Sequence, residues 1–186
     1  MSAAVGTCGV VLAAGAGSRY GMPKVLAHDG RWLVAAIDAL SGCDSVIVVM
    51  GAAVVGVPDG VTVAVNEAWS SGMGGSLRVG LDACRPLPVE YAVIMPVDTP
   101  DVGVDVVTRV VAAAMDSETG LARAMFGDVP GHPVVMARRW WRDAAARAVG
   151  DEGARAFLSG RVDVVAVQCG DLADGGDHDF PDEREP

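Results

Sequence analysis

Aromatic side chains are scarce in this chain: three Phe, four Trp and two Tyr make up 5% of 186 residues. An aromatic stacking platform is therefore not expected, whereas a tight core of small aliphatic residues is. Histidine numbers only three, and none stands at the spacing a zinc site requires. The four cysteines, Cys8, Cys43, Cys84 and Cys169, include no Cys-x-x-Cys pair. Buried free thiols in a reducing cytoplasm are expected rather than a disulfide framework. No apolar run approaches ~18 residues, so neither a transmembrane helix nor a membrane partner is expected. The first residues lack a charged stretch ahead of an apolar one, so no signal peptide is expected either. Cations are the minority, 14 against 24 acids, for a formal net charge of −10. A nucleic-acid partner is excluded, because phosphate backbones need a basic face. There is no internal repeat, linker or low-complexity segment, and no trustworthy Ser-His-Asp or Cys-His arrangement.

What is present is an apolar chain, 51% hydrophobic, long enough for one domain over residues 1–186. The charge is uneven. Residues 170–186 carry seven acids and one arginine, net −6, which leaves −4 for the rest. An anionic substrate must then be met by local cations rather than by the overall field.

The pattern alternates strands and helices. Strands are expected over residues 8–13, 45–51, 61–65, 91–97, 121–126, 133–137 and 162–167, several of them solid apolar runs of the kind buried on both faces. Helices are expected from Arg31 to a stop at Gly42, from the loop at 66–75 through Leu77, Leu81 and Cys84, over 104–115, over 138–149 with Trp141, Ala144, Ala145 and Ala148 as its buried stripe, and briefly after Asp151 as a cap. A three-layer α/β/α domain on a mostly parallel sheet follows.

The chain is organised around residues 12–24, LAAGAGSRYGMPK. An apolar run, a glycine loop and then a helix is the layout of a phosphate-binding turn. Gly15 and Gly17 can take φ > 0 and let main-chain N–H groups approach an anion. Arg19 can grip phosphate oxygens with two donors, and Lys24 adds a compact charge directed by Pro23. A tight turn with two solvated cations would also account for these residue types. The dinucleotide fingerprint fails at Tyr20, and the Walker Gly-Lys-Ser/Thr is absent.

Three other stretches carry candidate chemistry. Asn66, Gly72 and Ser76 lie in NEAWSSGMGGSLRVG (residues 66–80), where glycines and a hydroxyl at a helix start can bind a base or an anion, or simply form a capped turn. Asp98 follows a central strand, facing the crevice of an open sheet as a metal ligand, or closing the strand as an Asx turn. The acidic tail from Asp177 to Glu183 reads in isolation as solvated.

Residues 12–24 resemble the signature of the MobA-like nucleotidyltransferases, of the nucleotide-diphospho-sugar transferase superfamily, with Tyr20 where methionine is usual. The likeness continues through Asn66, Trp69, Gly72, Met73, Ser76, Leu77 and Gly80; through Asp98-Thr99-Pro100; through Gly131-His132-Pro133; and through the Gly150 to Arg155 segment. In the tail, Asp177, Asp179, Pro181 and Asp182 fit the pattern, while His178, Phe180 and Glu183 depart from it. The resemblance implies a Rossmann-like nucleotide-diphospho-sugar transferase fold with a mixed, mostly parallel sheet of roughly seven strands. It implies Mg²⁺ as cofactor on Asp98 and Asp179. Leu12, Ala13, Ala14, Gly15, Gly17, Arg19, Lys24, Asn66, Gly72 and Ser76 would bind the nucleotide, with Arg19 and Lys24 catalytic. His132, Asp151 and Arg155 would bind the acceptor, although Arg155 in a structural salt bridge is an equal reading. The implied reaction moves CMP from CTP to the phosphate of molybdopterin or its molybdenum-loaded form, releasing pyrophosphate, with a molybdoenzyme or its chaperone as a partner. CTP is preferred over GTP because Ala13-Ala14-Gly15 and Met22-Pro23-Lys24 look like the cytidylyl branch. The alternatives are guanylyl transfer, another small-molecule nucleotidyl transfer such as to a sugar 1-phosphate, an oxidoreductase on the same scaffold, and a non-catalytic nucleotide- or cofactor-binding accessory protein.

Overall fold

All seven residues of the first strand, β1 (Thr7–Ala13), are buried. Both of its edges are paired, to β2 (Ser45–Met50) and β4 (Tyr91–Pro96), and both of its faces are covered, which is why it reads as an unbroken apolar run. The computed structural model of the chain describes residues 5–179. Phe180, Pro181, Asp182 and Glu183 of the tail pattern lie outside the described residues.

The sheet has seven strands in the order β3-β2-β1-β4-β6-β5-β7, with β3 (Val61–Val65), β5 (Leu121–Phe126), β6 (Val129–Ala137) and β7 (Val165–Gln168) completing it. Every pairing is parallel except those of β6, which runs antiparallel to both β4 and β5. Helices α1 (Arg31–Ala39) and α3 (Val104–Asp116) cover one face. Helices α2 (Met73–Cys84), α4 (Trp141–Arg147) and the short α5 (Arg155–Leu158) cover the other. Alternate residues of β1 and β4 feed the two cores: Val11, Val93 and Met95 one, Val10, Ala92 and Ile94 the other. Leu77, Leu81 and Cys84 of α2 are fully buried, and each leucine contributes roughly 1.5–3 kcal/mol. Among the described residues, no helix is long and apolar enough to cross a membrane.

The mostly parallel α/β/α sheet agrees with the expectation, but several boundaries do not. Helix α1 stops at Ala39, so Gly42 lies in the following turn and does not end it. The segment expected as one helix over 138–149 is a 3₁₀ turn, Arg138–Trp140, followed by the seven residues of α4. β7 begins only at Val165, where pairing to Ala122 starts; Val162 is fully exposed. Asp151 caps no helix: it sits in a 3₁₀ turn, Gly150–Glu152, and α5 begins after it with no side-chain cap.

The largest difference is β6. The expected strand begins at Pro133, with residues 127–132 as its connection, yet β6 already starts at Val129. Arg123 pairs with Val134 and Met125 with Pro130, so residues 131–133 stand opposite Ala124 alone. That bulge takes Pro133, which has no N–H to give, out of the paired register, while Pro130 stays in register with Met125 near the strand's start.

The four cysteines are free, and the Cys8 and Cys84 sulfurs lie 3.1 Å apart across the β1–α2 contact.

Candidate nucleotide site

The strand order reverses between β1 and β4, and a cleft of about 670 Å³ opens beyond their carboxyl ends. Open α/β sheets bind ligands at such a switch point. Leu12, Ala13 and Ala14 form its floor, and Gly15, Gly17, Arg19 and Lys24 form one wall. The strand end is pinned on both sides: Val97 N–H donates to Leu12 O (3.1 Å) and Ala52 N–H to Ala14 O (3.0 Å).

The glycine loop folds back on itself. Gly17 has φ +63°, and a Cβ there would fall 1.8 Å from Met22 O. Gly21 N–H donates to Gly17 O at 2.8 Å. Gly15 differs from its expectation, because its φ is not positive; a Cβ on it would meet nothing within 4 Å. Its open side lies in the cleft, where a ligand could approach the main chain.

Lys24 follows Pro23 into a 3₁₀ turn and reaches across the cleft. Its Nζ donates to Asp98 Oδ2 at 2.6 Å and to Asp179 Oδ1 at 2.9 Å. Arg19 Nη1 lies 3.2 Å from Asp179 Oδ2. The Lys24 and Asp98 side chains are only 14% and 17% exposed, whereas Arg19 is 73% exposed. The two lysine contacts therefore act in a drier setting than the arginine contact, which is worth little on its own. Burial pulls the ammonium's pKa down, but its bonds to Asp98 and Asp179 outweigh that and the net move is up. The Lys24 bond holds Asp179 below the ordinary carboxylate value. Burial, then the charges of Asp98 and Asp179, push Asp177 up.

Asp179 reaches the cleft because a few contacts tie down the segment before it, which otherwise stays solvated as an acidic tail should: none of residues 171–179 is fully buried. Arg109 forks onto Asp171 at 2.6 and 2.9 Å. Asp101 accepts from the N–H groups of Asp174 and Gly175 at 2.8 and 2.9 Å. His178 N–H donates to Asp98 O, and the His178 ring lies 5.3 Å from that of Trp32.

Residues 9–165 match the MobA-like NTP transferase domain. The chain belongs to this family. Over 187 aligned residues it is 34% identical to the nicotine blue oxidoreductase of Paenarthrobacter nicotinovorans, covering 92% of this chain and 91% of that protein. Among solved structures it resembles Rv0371c of Mycobacterium tuberculosis H37Rv, with 31% identity, a TM-score of 0.74, and 90% and 89% of the two chains covered. The manganese complex of Rv0371c aligns with 29% identity and a TM-score of 0.71 over 89% of each chain.

Within this MobA-like cleft the donor set fits a hard divalent cation. Asp98 Oδ1 is buried with no hydrogen-bond partner, and Asp98 and Asp179 together already grip one cation, the Lys24 ammonium. Among the described residues no group of three or more metal-binding side chains converges. Two carboxylates, with phosphate and water oxygens completing the shell, is the manner in which Mg²⁺ usually binds.

Ser76 and Gly72 line the cleft, but Asn66 does not. Asn66 is buried at 4% exposure, donates to Ser76 Oγ (3.1 Å) and accepts from Ala68 N–H (3.1 Å). It holds the loop behind the serine. Gly72 has φ +103°, and a Cβ there would lie 2.4 Å from the Gly150 carbonyl carbon. It lets the α2 start pack on the turn that carries Asp151. Gly72→Ala is expected to destabilise the fold by about 2 kcal/mol or more; an unchanged urea midpoint would show that this contact relaxes freely.

His132, Asp151 and Arg155 line the same cleft. Arg155 makes no ion pair among the described residues, so the salt-bridge reading finds no partner there. Burial, then the Arg123 charge, push the half-buried His132 imidazole down to about 4 from 6.5, with Asp98 opposing. The folded pKa lies below the unfolded one, so the unfolded chain takes the proton first as pH falls. Stability tied to His132 is thus complete above pH 6.5 and is lost between 6.5 and about 4. His132→Gln is expected to lose less stability over that window, read by urea melts at fixed pH steps. Trp69, Met73, Tyr20 and Asp177 also line the cleft and were missed as site residues. Trp69 and Met73 carried a signal in the motif at 66–80.

Proposed function

We propose that the protein is a metal-dependent nucleotidyltransferase that transfers a nucleotidyl group, CMP by preference, to the phosphate of a molybdopterin-type acceptor. The observation that carries the reading is Lys24 Nζ between Asp98 and Asp179 at the mouth of the glycine loop. One crevice thus holds a glycine-lined main chain, two cations and two carboxylates. In this reading the main chain at residues 15–17 receives the triphosphate, and Arg19 and Lys24 turn from Asp179 and Asp98 to its oxygens. Asp98 and Asp179 would hold a divalent ion, Mg²⁺ by preference, which would compensate the negative charge of the reacting phosphates. An acceptor phosphate oxygen attacks the α-phosphorus in line, and the bond to the leaving pyrophosphate breaks. A phosphate dianion brings no proton to remove, so no general base is required. Gly72 and Ser76 would sit beside the base and ribose, with Asn66 bracing the serine, and His132, Asp151 and Arg155 beside the acceptor.

The test is pyrophosphate release by the purified chain with CTP or GTP, with and without molybdopterin. Release that needs molybdopterin and favours CTP is expected. Release with GTP alone would move the chain to guanylyl transfer, and binding without release would make it an accessory protein. The oxidoreductase reading is favoured by the 34% identical relative that bears that name. Oxidation of NADPH by the chain, or a flavin purified with it, would displace nucleotidyl transfer.

A further inference from the structure

Four rings from three separate stretches of sequence meet beside the glycine loop. The indole of Trp32, in the first turn of α1, is at their centre and is buried. Its ring lies 5.1 Å from that of Tyr20, 5.0 Å from that of His28 and 5.3 Å from that of His178, all tilted. Such separations are those of attractive aromatic pairs.

On the loop side the cluster is fixed. Tyr20 Oη and His28 Nε2 lie 3.1 Å apart. His28 and Asp29 have φ of +51° and +57°, a left-handed pair of non-glycine residues that persists only where its surroundings hold it. Trp32 is packed into the core with other residues of α1 and α3. Its indole is therefore a rigid surface. The tail is the opposite, since none of residues 171–179 is fully buried. At His178 two contacts dock it. Its main-chain N–H donates to Asp98 O at 3.1 Å, and its ring meets Trp32. Any residue but proline could make the first contact; the second needs a ring. Tyr20 and His178 both depart from the family pattern, and both departures rest on the same indole. The next residue is Asp179, which reaches Lys24 across the cleft. A carboxylate on a loosely held segment binds a cation weakly, because the segment must be ordered when the ion arrives.

We propose that Trp32 is a positioning residue: it receives the His178 ring as a clasp and so holds Asp179 against Lys24 and Asp98. The consequence for a divalent ion rests on the nucleotidyl-transfer reading; the clasp itself does not.

The test is His178→Ala, which keeps the main-chain bond and removes the ring, with His178→Phe as rescue. Amide hydrogen exchange at residue 178, corrected for intrinsic rates, reads the clasp in the full chain. Protection is expected to fall by about three- to ten-fold in His178→Ala, the worth of one aromatic pair, and to return in His178→Phe. Trp32→Leu opens the contact from the other side and should match His178→Ala; if it does not fold, the histidine variants decide. Mn²⁺ calorimetry reads the consequence in a Lys24→Ala parent, where no ammonium competes for the carboxylates. There His178→Ala is expected to weaken Mn²⁺ by about three- to ten-fold, and to add nothing once Asp179→Asn is present, because it acts through that carboxylate. An unprotected amide in wild type, unchanged protection in His178→Ala, or no recovery with phenylalanine overturns the proposal. So does unchanged Mn²⁺ affinity, or a loss that persists beside Asp179→Asn. If Lys24→Ala binds no Mn²⁺ while exchange responds as expected, the metal reading falls and the clasp stands.

Discussion

Asp98→Asn is expected to lower metal-dependent turnover by about 10³-fold, the effect of losing several kcal/mol of charge compensation in the transition state. Asp98 follows the carboxyl end of β4, at the switch point of the sheet. One of its oxygens accepts from Lys24 and the other is buried without a partner. Asparagine keeps the shape and one acceptor oxygen for Lys24 but removes the negative charge. The fold should therefore survive while the divalent ion loses half of its protein charge. Pyrophosphate release measured against Mg²⁺ and Mn²⁺ concentration, together with Mn²⁺ titration calorimetry, reads both halves. A variant with a wild-type metal titration curve would take Asp98 out of this role.

The central strands and the glycine loop were legible because local pattern and tertiary fate coincide there. A strand buried on both faces must be apolar throughout, and β1 is. The start of β6 was not legible for the opposite reason. The strand expected from Pro133 begins at Val129, with residues 131–133 bulged out opposite Ala124, and nothing local announces a bulge. Asn66 enters as a nucleotide-binding residue through the family resemblance; its amide bonds to Ser76 and Ala68, geometry that the motif does not spell out. The tail was half legible. Its acids were visible, but their packing depends on Arg109, Asp101 and Trp32, which lie some 60 to 150 residues away in sequence. His178, which departs from the family pattern, has its ring beside Trp32, a contact no reading of the tail alone could supply.

Lys24→Ala is expected to lower kcat by about 10²–10³-fold, the usual cost of removing one preorganised charge from a phosphoryl or acyl transfer site. A lysine partnered by substrate alone would leave stability unchanged on truncation, but Lys24 has partners of its own. Without ligand, Lys24 is the cation between Asp98 and Asp179, so alanine leaves two facing carboxylates unneutralised. A loss of about 1–3 kcal/mol follows, between the values for an exposed and for a broken buried pair, because Asp179 is 43% exposed. The same vacancy should favour metal. The ammonium and a divalent ion compete for one pair of carboxylates, so the nucleotide-free variant should bind Mn²⁺ about ten-fold more tightly than wild type. Activity and metal affinity then move in opposite directions, which general damage to the fold would not produce. Thermal melts with and without Mn²⁺ check it: the ion should restore the variant further than it raises wild type. If Mn²⁺ affinity falls together with kcat, lysine and metal do not share Asp98 and Asp179, and the exchange of cations at the heart of the proposed mechanism does not occur.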